Sequence, residues 1–240
     1  MLAPRQEKNI SGAERGASGT LVKRREISGD AGKTRREVGD AMRKDTLSET
    51  INQLFAAERW AEARPLIEAE LRKPGNENDH WLLTRLSTTY YEERQYQKAL
   101  ELVRQAEKIA PDCPLVLWDL AGTLDALDRP LEALKIYEKL IDDPDRIAEE
   151  ECGEGRDWAV ALSTDCLYRA AICLKHLGMS ATAIQALAAY IRIRELGGGS
   201  IYSIQDALTE LKKLVPTPPE ERKLTRKFQE REAKLEAQIA

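Results

Sequence analysis

From about Thr46 onward, apolar residues recur every three or four positions over stretches of a dozen residues, which predicts amphipathic helices. The helices come in pairs. Trp60-Ala-Glu-Ala63, Tyr96-Gln-Lys-Ala99, Pro130-Leu-Glu-Ala133 and Ser180-Ala-Thr-Ala183 align, placing their alanines 36, 34 and 50 residues apart. The last interval is one such period plus a 16-residue insertion, from about Asp142 to Asp157. Residues 1–44 show no sustained period and are rich in Gly, Ser, Arg and Glu, a composition that predicts disorder. No buried-strand run interrupts the pattern, so an all-α chain is expected.

A helix pair whose axes cross closely needs small residues at the crossing. Ala63, Ala99, Ala133 and Ala183 supply them on the second helix of each pair, facing Ser87, Ala121 and Ala171 on the first, with Ile51 at that place in the first unit. Larger residues fill the seam: Leu54, Tyr90, Leu124 and Leu174 opposite Ile67, Val103, Tyr137 and Leu187. Pro74, Pro111 and Pro144 close the first three units, because proline cannot continue a helix. Spacing and small-residue positions together resemble the tetratricopeptide repeat, over roughly residues 44–197. The resemblance implies a right-handed α-solenoid of about four helix pairs, at about 44–77, 80–113, 114–147 and 164–197. The second and third units match well. The first and fourth depart, with Glu70 and Tyr190 where a small residue is usual.

Beyond Gly197-Gly198-Gly199, the stripe Ile201, Ile204, Leu208, Leu211 and Val215 predicts a capping helix over 200–215, opened by a Ser203–Asp206 capping box. The body therefore spans 45–215. Pro216 to Pro219 breaks the chain, and a charged helix is expected within 216–240. The pattern after the insertion, with Trp158, Ala161 and Leu162, predicts an early start for the first helix of the fourth unit.

Charge refines this picture. The chain of 240 residues carries a net charge of −4, unevenly spread: +4 over residues 1–45, −9 over 46–215 and +1 over the rest. The insertion alone holds eight acids and two arginines, which reads as a solvated acidic excursion. Apolar residues make up 42% and charged residues 32%, as suits a helical protein in water, and no run of about 18 apolar residues predicts a membrane span. The start lacks the apolar core of a secretory signal, so cytoplasmic residence is expected.

Little in the sequence points to catalysis. Gly32-Lys33-Thr34 resembles the end of a phosphate-binding loop, but Ile27 stands where the motif needs glycine and no strand precedes it. The four cysteines, 113, 152, 166 and 173, are too irregularly spaced for a disulfide framework. Cys166 and Cys173 lie about 10 Å apart along one helix, too far to share a zinc, and neither His80 nor His176 is an obvious partner. Cys152, in the acidic loop, is the thiol expected to be exposed. A serine or cysteine triad has no support, and the insertion lacks the glycine bend of a calcium loop. No enzyme, cofactor, metal or small-molecule substrate is expected.

The resemblance implies instead a concave face lined by the first helix of each unit. Carried over by position, the first unit offers Ser48, Asn52 and Phe55, and the second Trp81, Thr84, Thr88 and Tyr91. The third offers Leu115, Trp118, Gly122 and Asp125, and the fourth Asp165, Tyr168, Ile172 and Lys175. Five of these are aromatic in a chain with only 5% aromatic residues, and such rings often anchor interfaces. Gly122 would admit a ligand backbone. Asn52 matches one position of the carboxylate clamp found in some members of the family, whereas Ser48, Leu115 and Asp119 stand where that clamp needs cations and Arg85 replaces an asparagine. With Glu92, Asp125 and Asp165 near the face, an uncharged or mildly basic peptide with apolar anchors is expected. The expected function is a scaffold or adaptor for a protein partner, of undetermined oligomeric state. The alternative is regulation or tethering through the basic tail, which could mask the groove; its arginines alternate with acids and lack aromatics, so nucleic acid is a poor fit.

Overall fold

The computed structural model describes residues 35–150, 152 and 155–215, with side chains from residue 46 onward. The basic tail up to residue 34, including Gly32-Lys33-Thr34, and the charged segment 216–240 lie outside the described residues.

Ten helices and no strand make up the described chain: α1 (Arg35–Ala56), α2 (Trp60–Leu71), α3 (His80–Glu92), α4 (Tyr96–Ile109), α5 (Pro114–Ala126), α6 (Pro130–Asp142), α7 (Pro144–Glu149), α8 (Arg156–His176), α9 (Ser180–Glu195) and α10 (Ile204–Leu214). Most pack mainly on their neighbours in sequence; α6 packs most extensively on α8, and α3 lies also against α5.

A helical-repeat character is visible in the links. The pairs α1–α2, α3–α4, α5–α6 and α8–α9 are each joined by three residues. The central residue of every link, Glu58, Arg94, Asp128 or Gly178, has φ between 56° and 76°. The same two hydrogen bonds close each helix end, for example Arg94 N–H to Tyr91 O and Gln95 N–H to Tyr90 O, or Asp128 N–H to Asp125 O and Arg129 N–H to Leu124 O. Three of the four links place a non-glycine residue in the left-handed region, a conformation that costs about 1–2 kcal/mol per residue.

Packing follows from the small residues. Ala63, Ala99, Ala133 and Ala183 are fully buried, as are Ser87, Ala121, Ala171 and Ile51. Ser87 spends its hydroxyl on the Ala99 carbonyl at 2.9 Å, so the polar atom costs nothing at the crossing. Of the seam residues, Leu124, Ile67, Val103 and Tyr137 are fully buried.

Three boundaries differ from the sequence reading. First, α1 begins at Arg35, inside the stretch assigned to disorder, because residues 35–44 are largely good helix formers that run directly into the helix. Second, the insertion is no free excursion. Pro144 at the first helical position and the Asp143 carboxylate accepting from Arg146 N–H start α7, which buries Ile147 against α8. Its charges pair locally, Asp145 with Arg156 at 2.8 Å and Glu150 with Arg146 at 2.9 Å. Third, the capping stripe holds only in part: the Ser203–Asp206 capping box is present, but Ile201 and Val215 are exposed, and Ala207 takes the buried place with Leu211 and Leu214 beside it. Meanwhile α8, 21 residues long, has the early start its pattern indicates.

Candidate functional site

The residues expected to line a groove fall into two groups. Those of α1, α3 and α5 still present a partly open face: Asn52 is exposed, and Trp81, Thr88, Tyr91, Trp118 and Gly122 are half-buried. Phe55 and Thr84 do not belong to it. Phe55 is 8% exposed, edge-on to Trp60 at 4.9 Å, and Thr84 turns its hydroxyl back to the His80 carbonyl.

Across this face, Thr88 on α3 donates to the Asp119 carboxylate on α5 at 2.6 Å. Burial pushes the Asp119 carboxyl up to about 6, although Thr88 and the charge of Arg85 favour its ionised form. Arg85 lies over both the Phe55 and the Trp81 rings, each at 5.4 Å. Its Nε is buried with no hydrogen-bond acceptor among the described residues. Trp118 leans its ring edge on buried Tyr137 at 5.8 Å, and Tyr91 sits 5.3 Å from Tyr96. A Cβ on Gly122 would meet only the Tyr137 hydroxyl at 3.9 Å, so the fold does not itself demand glycine there.

The α8 residues are committed elsewhere, which corrects the expected groove. After α9, Gly197 takes φ 93°, a Cβ on Gly198 would lie 2.6 Å from Ile193 Cγ2, and one on Gly199 would sit tightly against Ala161 at 3.1 Å. The chain then runs back over α8. The Asp165 carboxylate accepts from the Ser200 hydroxyl and, at 3.0 Å, from Ile201 N–H. Tyr202 stacks on Tyr168 at 4.3 Å, and Tyr190 donates to the Tyr202 carbonyl at 2.6 Å. The large Tyr190, anomalous against the repeat pattern, is thus what fastens this strap. Ile172 packs in the same apolar cluster, and Lys175 is paired with Glu210 of α10 at 2.5 Å. Asp165 and Tyr168 are buried, and α10 with its strap covers what was expected to be open.

Of the three acids expected near the face, Glu92 is exposed, and the other two are satisfied within the fold. Asp125, 5% exposed, forms an ion pair at 2.5 Å with Arg169 of α8, so its charge is neutralised within the fold. Desolvation and Ser200 already account for Asp165, whose carboxyl burial pushes up to about 6.

No family model matches the chain, and a search of curated proteins finds no relative. Among the described residues, no helix is long and apolar enough to cross a membrane.

One constellation escaped the sequence reading altogether. His80, Cys113 and Cys152 bring an imidazole nitrogen and two sulfurs within 4.8 Å of one another. His80 Nε2 lies 3.0 Å from Cys152 Sγ. The Cys113 thiol is drawn down to about 6 by its hydrogen bond with Cys152, despite burial, helped by the amides of Val116 and Leu115 and by His80. Cys166 and Cys173, by contrast, are fully buried, and burial pushes both thiols up.

Proposed function

We propose that the chain is a tetratricopeptide-like, right-handed helical solenoid that acts as a non-enzymatic scaffold, holding a peptide or helix of a protein partner across α1, α3 and α5. The carrying observation is the half-buried aromatic set Trp81, Tyr91 and Trp118 on the first helices of consecutive pairs, with Arg85 among them. Rings held rigidly at a surface bury area at low entropic cost. The half-buried Arg85 guanidinium gives the face a cation beside those rings, suited to a backbone carbonyl or a carboxylate. The apolar anchors of the expected uncharged or mildly basic peptide stay in this reading; of the three acids behind that expectation, Glu92 is exposed, while Asp125 and Asp165 are satisfied internally.

The test is capture of partners by the immobilised full chain and by three variants. Trp81→Ala and Tyr91→Ala alter the face, and Leu131→Ala alters a 53% exposed side chain on α6. A partner retained by wild type and Leu131→Ala should bind each face variant about 30-fold more weakly, or about 2 kcal/mol. Equal capture by both face variants, with helicity intact, would place the binding surface elsewhere.

A further inference from the structure

His80, Cys113 and Cys152 come from three separate elements. His80 is the first residue of α3, held there by Asp79, whose carboxylate caps Leu82 N–H at 3.1 Å. Cys113 is the N-cap of α5, fixed by Pro114 at the first helical position. Cys152 lies just past α7, in the insertion. Their donor atoms meet within 4.8 Å at the corner where α3 and α5 begin.

From this geometry we infer that His80, Cys113 and Cys152 form a binding site for a zinc-class metal ion, which links the first helices of two adjacent pairs to the insertion. Zinc in a tetrahedral field holds sulfur at about 2.3 Å and nitrogen at about 2.0 Å, so its ligand atoms stand about 3.5–3.8 Å apart. The cluster needs only small side-chain rotations to reach that spacing. Two sulfurs and an imidazole are the soft and borderline donors that favour zinc over magnesium or calcium. Cys113 is 6% exposed, while His80 and Cys152 are half-buried, so one side of the cluster faces outward. Three protein ligands with an accessible fourth position describe an open site, which takes water or a donor from a bound molecule.

The full chain, fully reduced and stripped of metal, is titrated with Co2+ as a spectroscopic substitute for zinc. The site predicts tetrahedral ligand-field bands with thiolate-to-metal charge transfer, saturation at one equivalent, and bleaching by Zn2+. Cys113→Ser, Cys152→Ser and His80→Gln should each weaken uptake by at least about tenfold, the scale seen even for groups that merely orient a ligand. Cys166→Ala should leave it unchanged. Should a ligand variant fail to fold, mass mapping of alkylated thiols in the wild type decides instead: metal should protect Cys113 and Cys152. Absence of metal uptake by the reduced wild type overturns the assignment. So does uptake indifferent to all three ligand variants, or a reduced chain that goes directly to a Cys113–Cys152 disulfide while taking up no Co2+ or Zn2+.

Discussion

Asp165 separates two accounts of the fourth helix pair, one in which its carboxylate faces a groove and one in which it pins the strap after α9. In the structure it is 6% exposed, accepts from Ser200 and Ile201, and has its carboxyl pushed from 3.8 up to about 6 by burial. A carboxyl whose folded-state pKa is raised binds its proton more tightly in the folded state. Its contribution to stability is therefore full below about pH 4 and is lost as pH rises through about 6. A shift of about two units corresponds to about 3 kcal/mol. Asp165→Asn keeps an oxygen to accept both hydrogen bonds but cannot ionise. The stability of the variant relative to wild type should therefore rise by about 3 kcal/mol between about pH 4 and about pH 8. Urea unfolding followed by circular dichroism across that range measures the difference directly. Asp119, also raised to about 6, is common to both proteins and cancels. So do Glu62, Asp112 and Glu132, whose carboxyls are lowered by hydrogen bonds from Arg59, Lys139 and Arg129 and act in the opposite sense, losing stability as pH falls. Parallel pH profiles for the two proteins would refute the buried strap contact and return Asp165 to the solvent.

Asp125→Ala strands the Arg169 guanidinium without its carboxylate and should lower unfolding free energy by about 3–5 kcal/mol; adding Arg169→Met should recover much of it. Arg94→Gly relieves a left-handed residue at φ 61° and should stabilise by up to about 1 kcal/mol, read as a raised urea midpoint at unchanged slope. Ser203→Ala removes half of the capping box and should loosen α10 by about 1 kcal/mol. Amide exchange should report that loosening in α10 with no change in α5.

The paired helices were legible because two independent constraints repeat together. Close crossings demand Ala63, Ala99, Ala133 and Ala183, and each lies five residues after a left-handed link residue, so apolar period and turn geometry carry the same spacing. Boundaries were less legible. Residues 35–44 have helix-forming composition without a decisive apolar stripe, and composition alone favoured disorder. The α10 stripe was legible only in part: Leu211 packs inward as expected, but Ile201 and Val215 lie beyond the helix ends and are exposed, and the small Ala207 takes the buried place. Position within the unit placed Trp81, Thr88, Tyr91, Trp118 and Gly122 at half-buried positions of α3 and α5, but Thr84 is buried there. It failed on α8, where a segment outside the repeat pattern folds back to cover the face. The signal was present in Tyr190: a large hydroxyl-bearing residue at a place that wants a small one requires a partner, and Ser200 and Tyr202 provide it.

The metal-type cluster was illegible for a different reason. Its residues are 33 and 39 positions apart, with none of the short spacings that mark a zinc loop. What unites them is the stacking of the pairs. One 34-residue period carries Asp79, the N-cap of α3, onto Cys113, the N-cap of α5, so His80 and Cys113 occupy the same corner of adjacent units. An insertion between later units can reach that corner only if it is ordered. Ordering it costs backbone entropy of about 1–2 kcal/mol per residue, which a merely solvated acidic loop would have no means to offset. Burial of Ile147, the Asp143 cap and the pairing of Arg146 and Arg156 contribute to that compensation, and Cys152 adds its contact with His80 and its packing against the core. A bound ion would add to these contacts at Cys152, joining the insertion to His80 and Cys113.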